Sequence, residues 1–324
     1  MLSIEAYREI FLRHLESRID LKEPVNLYEP MRYILGLGGK RLRPTLTLVT
    51  ADLFGGNHQE ALDAALAVEI FHNFSLVHDD IMDDAPLRRG KQTVHEKWDI
   101  NTGILSGDAM LILAYQLFEN YEPETFSALA RLFSKTAIEV CEGQQYDVDF
   151  ENRDDVSIEE YLKMITYKTA VLLGASLKMG AIIAGAKEEE ARSIYDFGIH
   201  LGIAFQIMDD YLDAFGDQET FGKQVGGDII ENKKTYLYLK TLENLSKDDA
   251  TQLEHLYSIN PEDPTDKVHS VKELMVSSGA AELTQQAIAS YTNKALEILS
   301  TLGQDEEKKA ILKGFAHSLM KRTT

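Results

Sequence analysis

Cysteine is almost missing from this sequence. Cys141 is the only one in 324 residues, so the chain can form no internal disulfide and cannot build a thiolate metal cluster alone. A lone free thiol suits a reducing compartment. Long hydrophobic runs are missing too: no stretch of about 18 apolar residues suggests a membrane span. The opening segment, MLSIEAYREIFLRHLESRID, mixes acids and bases along an amphipathic pattern, unlike a secretory signal or an acid-poor transit peptide. The expected location is cytoplasmic. Positive charge is scarce, 33 Lys and Arg against 53 Asp and Glu, for a formal charge of −20. Such a surface repels a phosphate backbone, and no basic stripe interleaved with aromatics offsets it, so nucleic acid is not an expected partner.

Proline is sparse as well. Its seven copies, Pro24, Pro30, Pro44, Pro86, Pro123, Pro261 and Pro264, fall at or near the ends of periodic segments, which leaves room for long helices between them. Alternating β-branched runs bounded by hairpin turns are lacking. Helical periodicity is present instead: Ile194, Phe197, Leu201, Phe205, Met208 and Leu212 recur at spacings of three and four within 194–213. Similar patterns fill about 60–84, 105–121, 124–147, 158–185, 280–301 and 305–321. The expected fold is all-α, an antiparallel helical bundle. Residues 241–275 are more polar, contain NPEDPTD, and read as a loop between peripheral helices. At 324 residues the chain exceeds the size at which one core commonly stops growing, but no low-complexity linker divides it, and 1–324 reads as one domain.

Negative charge is concentrated in two places. Asp79, Asp80 and Asp83 form a D-D-x-x-D cluster, and Asp209, Asp210 and Asp213 form another, each after an apolar helical run. Positions i and i+4 lie one helical turn apart on nearly one face, so each cluster offers a cation two carboxylates at one level. If the two helices pack together, the acids converge at one mouth of the bundle. The plain alternative is a solvated charged face. Against it stand the repetition and the cost of aspartates at a helix C-terminus, where they oppose the macrodipole. A hard divalent cation offsets that cost, and Mg²⁺ characteristically completes its shell with substrate phosphates. A diphosphate substrate is implied.

Cations accompany the acids. Arg88 and Arg89 follow the first cluster and can reach back toward it, with guanidinium geometry suited to bidentate phosphate contacts. GLGGKRLRP supplies Lys40, Arg41 and Arg43 ahead of Pro44, a good first helical residue, with a surface salt-bridge patch as the alternative. FGKQVGGDIIENKKT adds Lys223, Lys233 and Lys234.

The ordered set GGKRLRP, HNFSLVHDDIMDD with RRG, GQQYD, YKT, FQIMDDYLD and FGKQVGGD resembles the trans-polyprenyl diphosphate synthases, the farnesyl/geranylgeranyl diphosphate synthase family, from about residue 28 to 240. The resemblance implies an all-α bundle of the isoprenoid synthase type with a deep central active-site cavity, usually a homodimer. It also implies three Mg²⁺ ions and head-to-tail joining of isopentenyl diphosphate to an allylic diphosphate. Residue by residue, it makes Asp79 and Asp83 the Mg²⁺ ligands of the first cluster and Asp209 the principal ligand of the second. Asp80, Asp210 and Asp213 would act through water or behind the direct ligands. Arg88, Lys168 and Lys223 would hold the allylic diphosphate, and Lys40, Arg43, His72 and Arg89 isopentenyl diphosphate, with Lys233 a further substrate-binding candidate. Thr169 and Gln206 would line the region of developing cation, so that Lys168, Thr169, Gln206 and Lys223 form the catalytic set. Gln144 and Asp147 would support the site, Asp147 by orienting Lys168. His72 lies on an apolar helix, where a core histidine is the ordinary reading; its place in the motif favours a ligand role. His78 and Gln144 stay open between core and site, while Tyr146 and Phe205 read as core. Segments near 85–93 and 214–232 are candidates for closing the mouth over a water-sensitive cation.

Phe74 and Ser75, five and four residues before Asp79, occupy positions that in this family form the floor of the product tunnel. A phenylalanine, a small residue and no insertion in the first acid motif resemble the geranylgeranyl type, giving an expected C20 product with C15 as competitor. Core packing is the alternative for Phe74. A terpene cyclase or a head-to-head synthase would have no need of the basic GGKRLRP segment. A noncatalytic regulatory subunit would be expected to show eroded acid clusters, and both clusters are intact.

Overall fold

Apolar periodicity becomes helix almost throughout the computed structural model, which describes residues 1–216 and 226–320. The helices are α1 (Ile4–Arg18), α2 (Val25–Gly36), α3 (Leu42–Leu53), α4 (Leu62–Met82), α5 (Val94–Lys97), α6 (Ile100–Gln116), α7 (Pro123–Glu151) and α8 (Ile158–Ile165). There follow α9 (Val171–Ile183), α10 (Glu188–Phe215), α11 (Gly227–Ile230), α12 (Tyr236–Asn244), α13 (Lys247–Leu256), α14 (Thr265–Ser277), α15 (Ala280–Thr301) and α16 (Glu306–Met320). The fold is all-α, as expected. The sole sheet among the described residues is a two-residue hairpin, β1 (Leu87–Arg88) against β2 (Lys91–Gln92). The chain forms two compact units, Met1–Ser134 with Ala175–Arg192, and Lys135–Gly174 with Ser193–Thr324.

In the first unit α4 is buried around much of its length, including Ala64, Ala65, Ala67, Val68, Phe71 and Phe74. Phe133 is the hub of an aromatic cluster, with Phe71 at 5.1 Å, Tyr115 at 4.7 Å and Phe118 at 5.1 Å between ring centroids. Edge-on geometries of this kind add to the area buried. The apolar stretch of α4 stops where its aspartates start. Asp84 takes a left-handed conformation (φ 48°), Ala85 N–H donates to Asp80 O at 2.9 Å and Asp84 N–H to Ile81 O at 3.4 Å, a Schellman closure with aspartate in the place glycine usually fills.

In the second unit Tyr161, Ile165, Ile203, Ile207, Leu237, Val271 and Ile288 belong to one core. Helix α8 starts from a complete capping box between Ser157 and Glu160. It passes into one π turn, Thr166–Ala170, before α9 resumes. Such turns often mark functional positions. The π turn is wedged between two glycines: a Cβ on Gly143 of α7 would lie 2.7 Å from Lys168 Cα, and one on Gly202 of α10 would lie 2.7 Å from Ala170 Cα.

Three sequence expectations are corrected. Residues 241–275 are mainly helical, with α13 and α14 flanking a short loop around NPEDPTD. Pro30 lies inside α2, its ring buried, rather than near an end. Pro44 is the third residue of α3, because Arg41 in a left-handed conformation (φ 51°) is the N-cap.

Gly143→Ala forces a methyl into backbone, so it should destabilise the protein by about 1–3 kcal/mol. In urea, the unfolding midpoint should fall at unchanged slope. Gly314→Ala, where nothing lies within 4 Å of the added carbon, should lose nothing. Equal midpoints for wild type and Gly143→Ala would contradict the close approach.

Candidate active site

The first acid cluster ends α4. Asp80 is almost completely buried and Asp79 partly so, while Asp83, the C-cap, is exposed. A buried carboxylate needs donors, and Arg88 supplies them: Nε lies 2.8 Å from both Asp80 oxygens and Nη2 2.6 Å from Oδ1, with Asp79 Oδ2 farther off at 3.8 Å. Arg88 therefore does fold back on the acids. The hairpin makes this possible. Arg89 (φ 54°) and Gly90 (φ 73°) form its two-residue turn, both left-handed as a type I′ turn requires, and Thr93 Oγ1 donates to Ala85 O at 2.8 Å across its base.

Arg89 Nη1 donates to Gly38 O, and a Cβ on Gly39 would meet the Arg89 guanidinium at 2.8 Å. Glycine at 39 is thus what admits Arg89. Arg41 is buried and bonds Glu69 and the carbonyl of Leu35, while Asn73 Nδ2 donates to Glu69 Oε1 at 2.8 Å. Arg43 Nη1 lies 3.3 Å from His72 Nε2. Because guanidinium only donates, Nε2 is the acceptor and the ring proton sits on Nδ1. Burial first, then the charges of Arg43, Arg89, Arg88 and Arg41, hold His72 well below the usual imidazole range, so the ring is neutral. Burial also pulls down Arg43 and, together with Arg41, Arg89. Four arginines thus surround one neutral histidine, and the internal acids among them are Glu69 and Asp80. Arg43 Nε is buried and has no hydrogen-bond partner among the described residues. Lys40 is exposed beside this group.

Phe74 is nearly buried, its ring 5.5 Å from Phe71 and 4.8 Å from His78. Ser75 Oγ donates to His72 O at 2.8 Å. His78 Nε2 lies 3.2 Å from the carbonyl of Ile104 and 3.9 Å from Asp108, so its polar contacts are to α6.

The second unit repeats the arrangement with other donors. Asp210 is buried, Tyr161 Oη donates to its Oδ2 and Gln206 Nε2 to its Oδ1 at 3.1 Å. Thr169 Oγ1 donates in turn to Gln206 Oε1 at 3.2 Å, so Thr169 and Gln206 form one relay ending on an aspartate. Burial pushes Asp210 up to about 7, with the charge of Asp209 adding to the rise and the two donors opposing it. Asp209 and Asp213 are partly buried. Asp213 Oδ2 accepts from the Asp228 backbone N–H at 2.9 Å. Asp228 itself is pushed up to about 8 by burial and by Asp210 and Asp213, making it a fourth acid of this group.

Lys168, in the π turn, donates to Asp147 Oδ2 at 2.5 Å. Lys233 bonds Glu231 at 2.8 Å; burial lowers its pKa, but Glu231, Asp228 and Asp147 more than offset this and the net direction is upward. Gln144 Nε2 is buried without a hydrogen-bond partner among the described residues. Lys234 does not join them: it donates to the carbonyls of Phe150 and Arg153 and pairs with Asp154 at 3.0 Å, capping the end of α7. Lys223 and residues 217–225 of the expected closing segment 214–232 lie outside the described residues. Helix α14 braces residues 226–232: Lys267 Nζ, buried, donates to Ile230 O, Asn232 Oδ1 and Ile259 O, and a Cβ on Gly226 would meet Val268 at 2.8 Å.

Sequence reasoning missed Tyr161, Asp228 and the Arg41–Glu69–Asn73 group. Asp228 sat in the FGKQVGGD segment and Arg41 in GGKRLRP, so both were visible as residues. Nothing marked Tyr161 off from the apolar face of its helix.

In both units the donors offered to a cation are carboxylate oxygens without thiolate, a set that suits Mg²⁺. Among known proteins, the family profile for polyprenyl synthetase matches residues 24–275. A geranylgeranyl diphosphate synthase of Sulfolobus acidocaldarius is 45% identical over 231 residues, 70% of each chain. A geranylfarnesyl diphosphate synthase of Natronomonas pharaonis is 34% identical over 99% of this chain and 97% of its own. A crystal structure of a geranylgeranyl pyrophosphate synthase superposes with a TM-score of 0.96 at 56% identity, covering 100% of both chains. The chain belongs to the polyprenyl synthetase family.

Proposed function

We propose that this protein is a Mg²⁺-dependent prenyltransferase that joins isopentenyl diphosphate head to tail with allylic diphosphates and releases geranylgeranyl diphosphate, C20. The observation that carries this reading is the crowding of Arg41, Arg43, Arg88 and Arg89 about a neutral His72, next to the carboxylates of Asp79 and Asp80. Like charges packed together call for an anion, and acids beside them call for a metal bound to that anion. Diphosphate with Mg²⁺ meets both demands.

In the reaction the allylic C1–O bond breaks and its electron pair leaves with diphosphate. The alkene of isopentenyl diphosphate supplies the electrons of the new C–C bond, and a proton then leaves the adjacent carbon, with released diphosphate as base. Bound Mg²⁺, three ions in the family's pattern, would neutralise the leaving group. Asp79 and Asp83 would hold it in the first unit and Asp209 in the second. Asp80 and Asp210, already committed to Arg88 and to Tyr161 and Gln206, would keep those helix ends in place. Arg88 keeps Nη1 among the donors Asp80 does not use, and with Lys168 and Lys223 would bind the allylic diphosphate. Lys40, Arg43, Arg89 and the Nδ1–H of His72 would bind isopentenyl diphosphate, with Gln144 and Lys233 adding donors. The Thr169–Gln206 relay would supply dipoles near the developing cation without a nucleophile that would trap it.

Phe74, packed on Phe71, would form the floor that limits product length. The full 324 residues would act as one synthase domain. A homodimer is supported by the exposed apolar side chains of Ile100, Ile104, Leu105 and Ile112 along α6. No described helix is long and apolar enough to cross a membrane, and the exposed free Cys141 suits the cytoplasm.

The test is product analysis after incubation with Mg²⁺, isopentenyl diphosphate and, separately, C5, C10 and C15 primers. Dominant C20 is expected; no elongation by folded protein would overturn the reading, and dominant C15 or C25 would overturn the product assignment. Phe74→Ala should shift the distribution beyond C20, whereas an unchanged distribution would return Phe74 to core packing alone.

A further inference from the structure

The hairpin bearing Arg88 and Arg89 has a second cluster at its base. Asp84 stands where the hairpin segment leaves α4, and His95 and Glu96 stand on α5, where it ends. One ligand atom from each of the three lies within 4.8 Å of the others. The two carboxylates are exposed, but the His95 side chain is only 4% exposed. Both of its ring nitrogens are buried and neither has a hydrogen-bond partner among the described residues; Glu96 Oε1 lies 3.8 Å from Nε2, beyond hydrogen-bond reach. An imidazole out of water with nothing to bond is costly, and here it faces two carboxylates.

We propose that Asp84, His95 and Glu96 bind one borderline divalent transition-metal ion, of the Zn²⁺ or Co²⁺ kind. Coordination gives the buried imidazole the partner it lacks and neutralises two carboxylates at once. An imidazole nitrogen with carboxylate oxygens selects this class over Mg²⁺, which prefers oxygen and water throughout. The ion joins residues 84 and 95 and so closes the loop that presents the two arginines, reducing the conformations open to it. Asp84 already holds a left-handed backbone at the end of α4, so the staple links the terminus of the acid-bearing helix directly to α5.

Co²⁺ titrated into the full chain with Mg²⁺ in large excess, to occupy the aspartate clusters, tests this by calorimetry and by proton NMR of the paramagnetic complex. Wild type should bind one equivalent of Co²⁺ and show strongly shifted imidazole signals from one histidine. His95→Gln should lose those signals, and Asp84→Asn and Glu96→Gln should bind Co²⁺ at least ~10-fold more weakly. Glu96 is exposed, so its substitution keeps the test open if His95→Gln does not fold. No saturable Co²⁺ uptake by wild type, or the same affinity and the same shifted signals in the variants, would overturn the proposal.

Discussion

A carboxylate taken out of water must be given donors, and the arrangement of both acid motifs follows from that requirement. In each D-D-x-x-D the middle aspartate is the buried one. Asp80 meets the guanidinium of Arg88, and Asp210 meets the hydroxyl of Tyr161 and the amide of Gln206. These bonds fix the helix ends, and with the ends fixed the outer aspartates of each motif stay partly or fully accessible at the limit of an apolar helix. Work is thereby divided within one short motif: the middle residue holds the scaffold and the flanking ones are offered to a cation. The donors differ in kind. Arg88 offers Asp80 a charged, forked donor, whereas Tyr161 and Gln206 offer Asp210 neutral ones that do not offset its burial, and Asp210 rises to about 7.

The basic group obeys the converse rule. Guanidinium groups do not lose their charge in proteins, so packing Arg41, Arg43, Arg88 and Arg89 around His72 leaves positive charge that the fold only partly balances. Arg41 is balanced by Glu69 and serves to join the end of α2, the start of α3 and the middle of α4. Arg88 is balanced by Asp80. Arg43 and Arg89 find a neutral imidazole and a backbone carbonyl, and for them an arriving diphosphate is the stronger partner.

Much of this was legible in sequence because the signals were strong and local. The apolar period over 60–84 corresponds to α4, and the paired motifs lie where the helices carrying them end. The extra turn at the start of α10, Glu188 to Ser193, carried only Ala191 as an apolar signal and begins with three acids, which suit a helix N-terminus. Helices α13 and α14 were misread as loop for a physical reason: α13 buries only Leu253, and α14 buries Lys267, Val271 and Met275, so one core position is a lysine. That lysine is internal because three oxygens receive it. The hairpin escaped notice because its strands are two residues long and carry no alternation. Asp147 and Lys168 are 21 residues apart, a pairing that spacing alone does not give and that came from the family resemblance. The tight seat of the π turn against Gly143 and Gly202 could be learned only from the packed helices.

The division of work between middle and outer aspartates is tested most directly by comparing Asp79→Asn with Asp80→Asn in urea unfolding, with and without Mg²⁺ and inorganic diphosphate. Asp80→Asn should lower the midpoint of the unliganded protein, with a loss of unfolding free energy that is a substantial part of the ~3–5 kcal/mol that breaking a buried ion pair costs. Asp79→Asn should leave that midpoint near the wild-type value but lose the stabilisation that Mg²⁺ and diphosphate together provide, which for wild type reaches about 2.7 kcal/mol at a hundredfold excess over Kd. Equal destabilisation of the two unliganded variants, or full retention of the ligand effect in Asp79→Asn, would contradict the account.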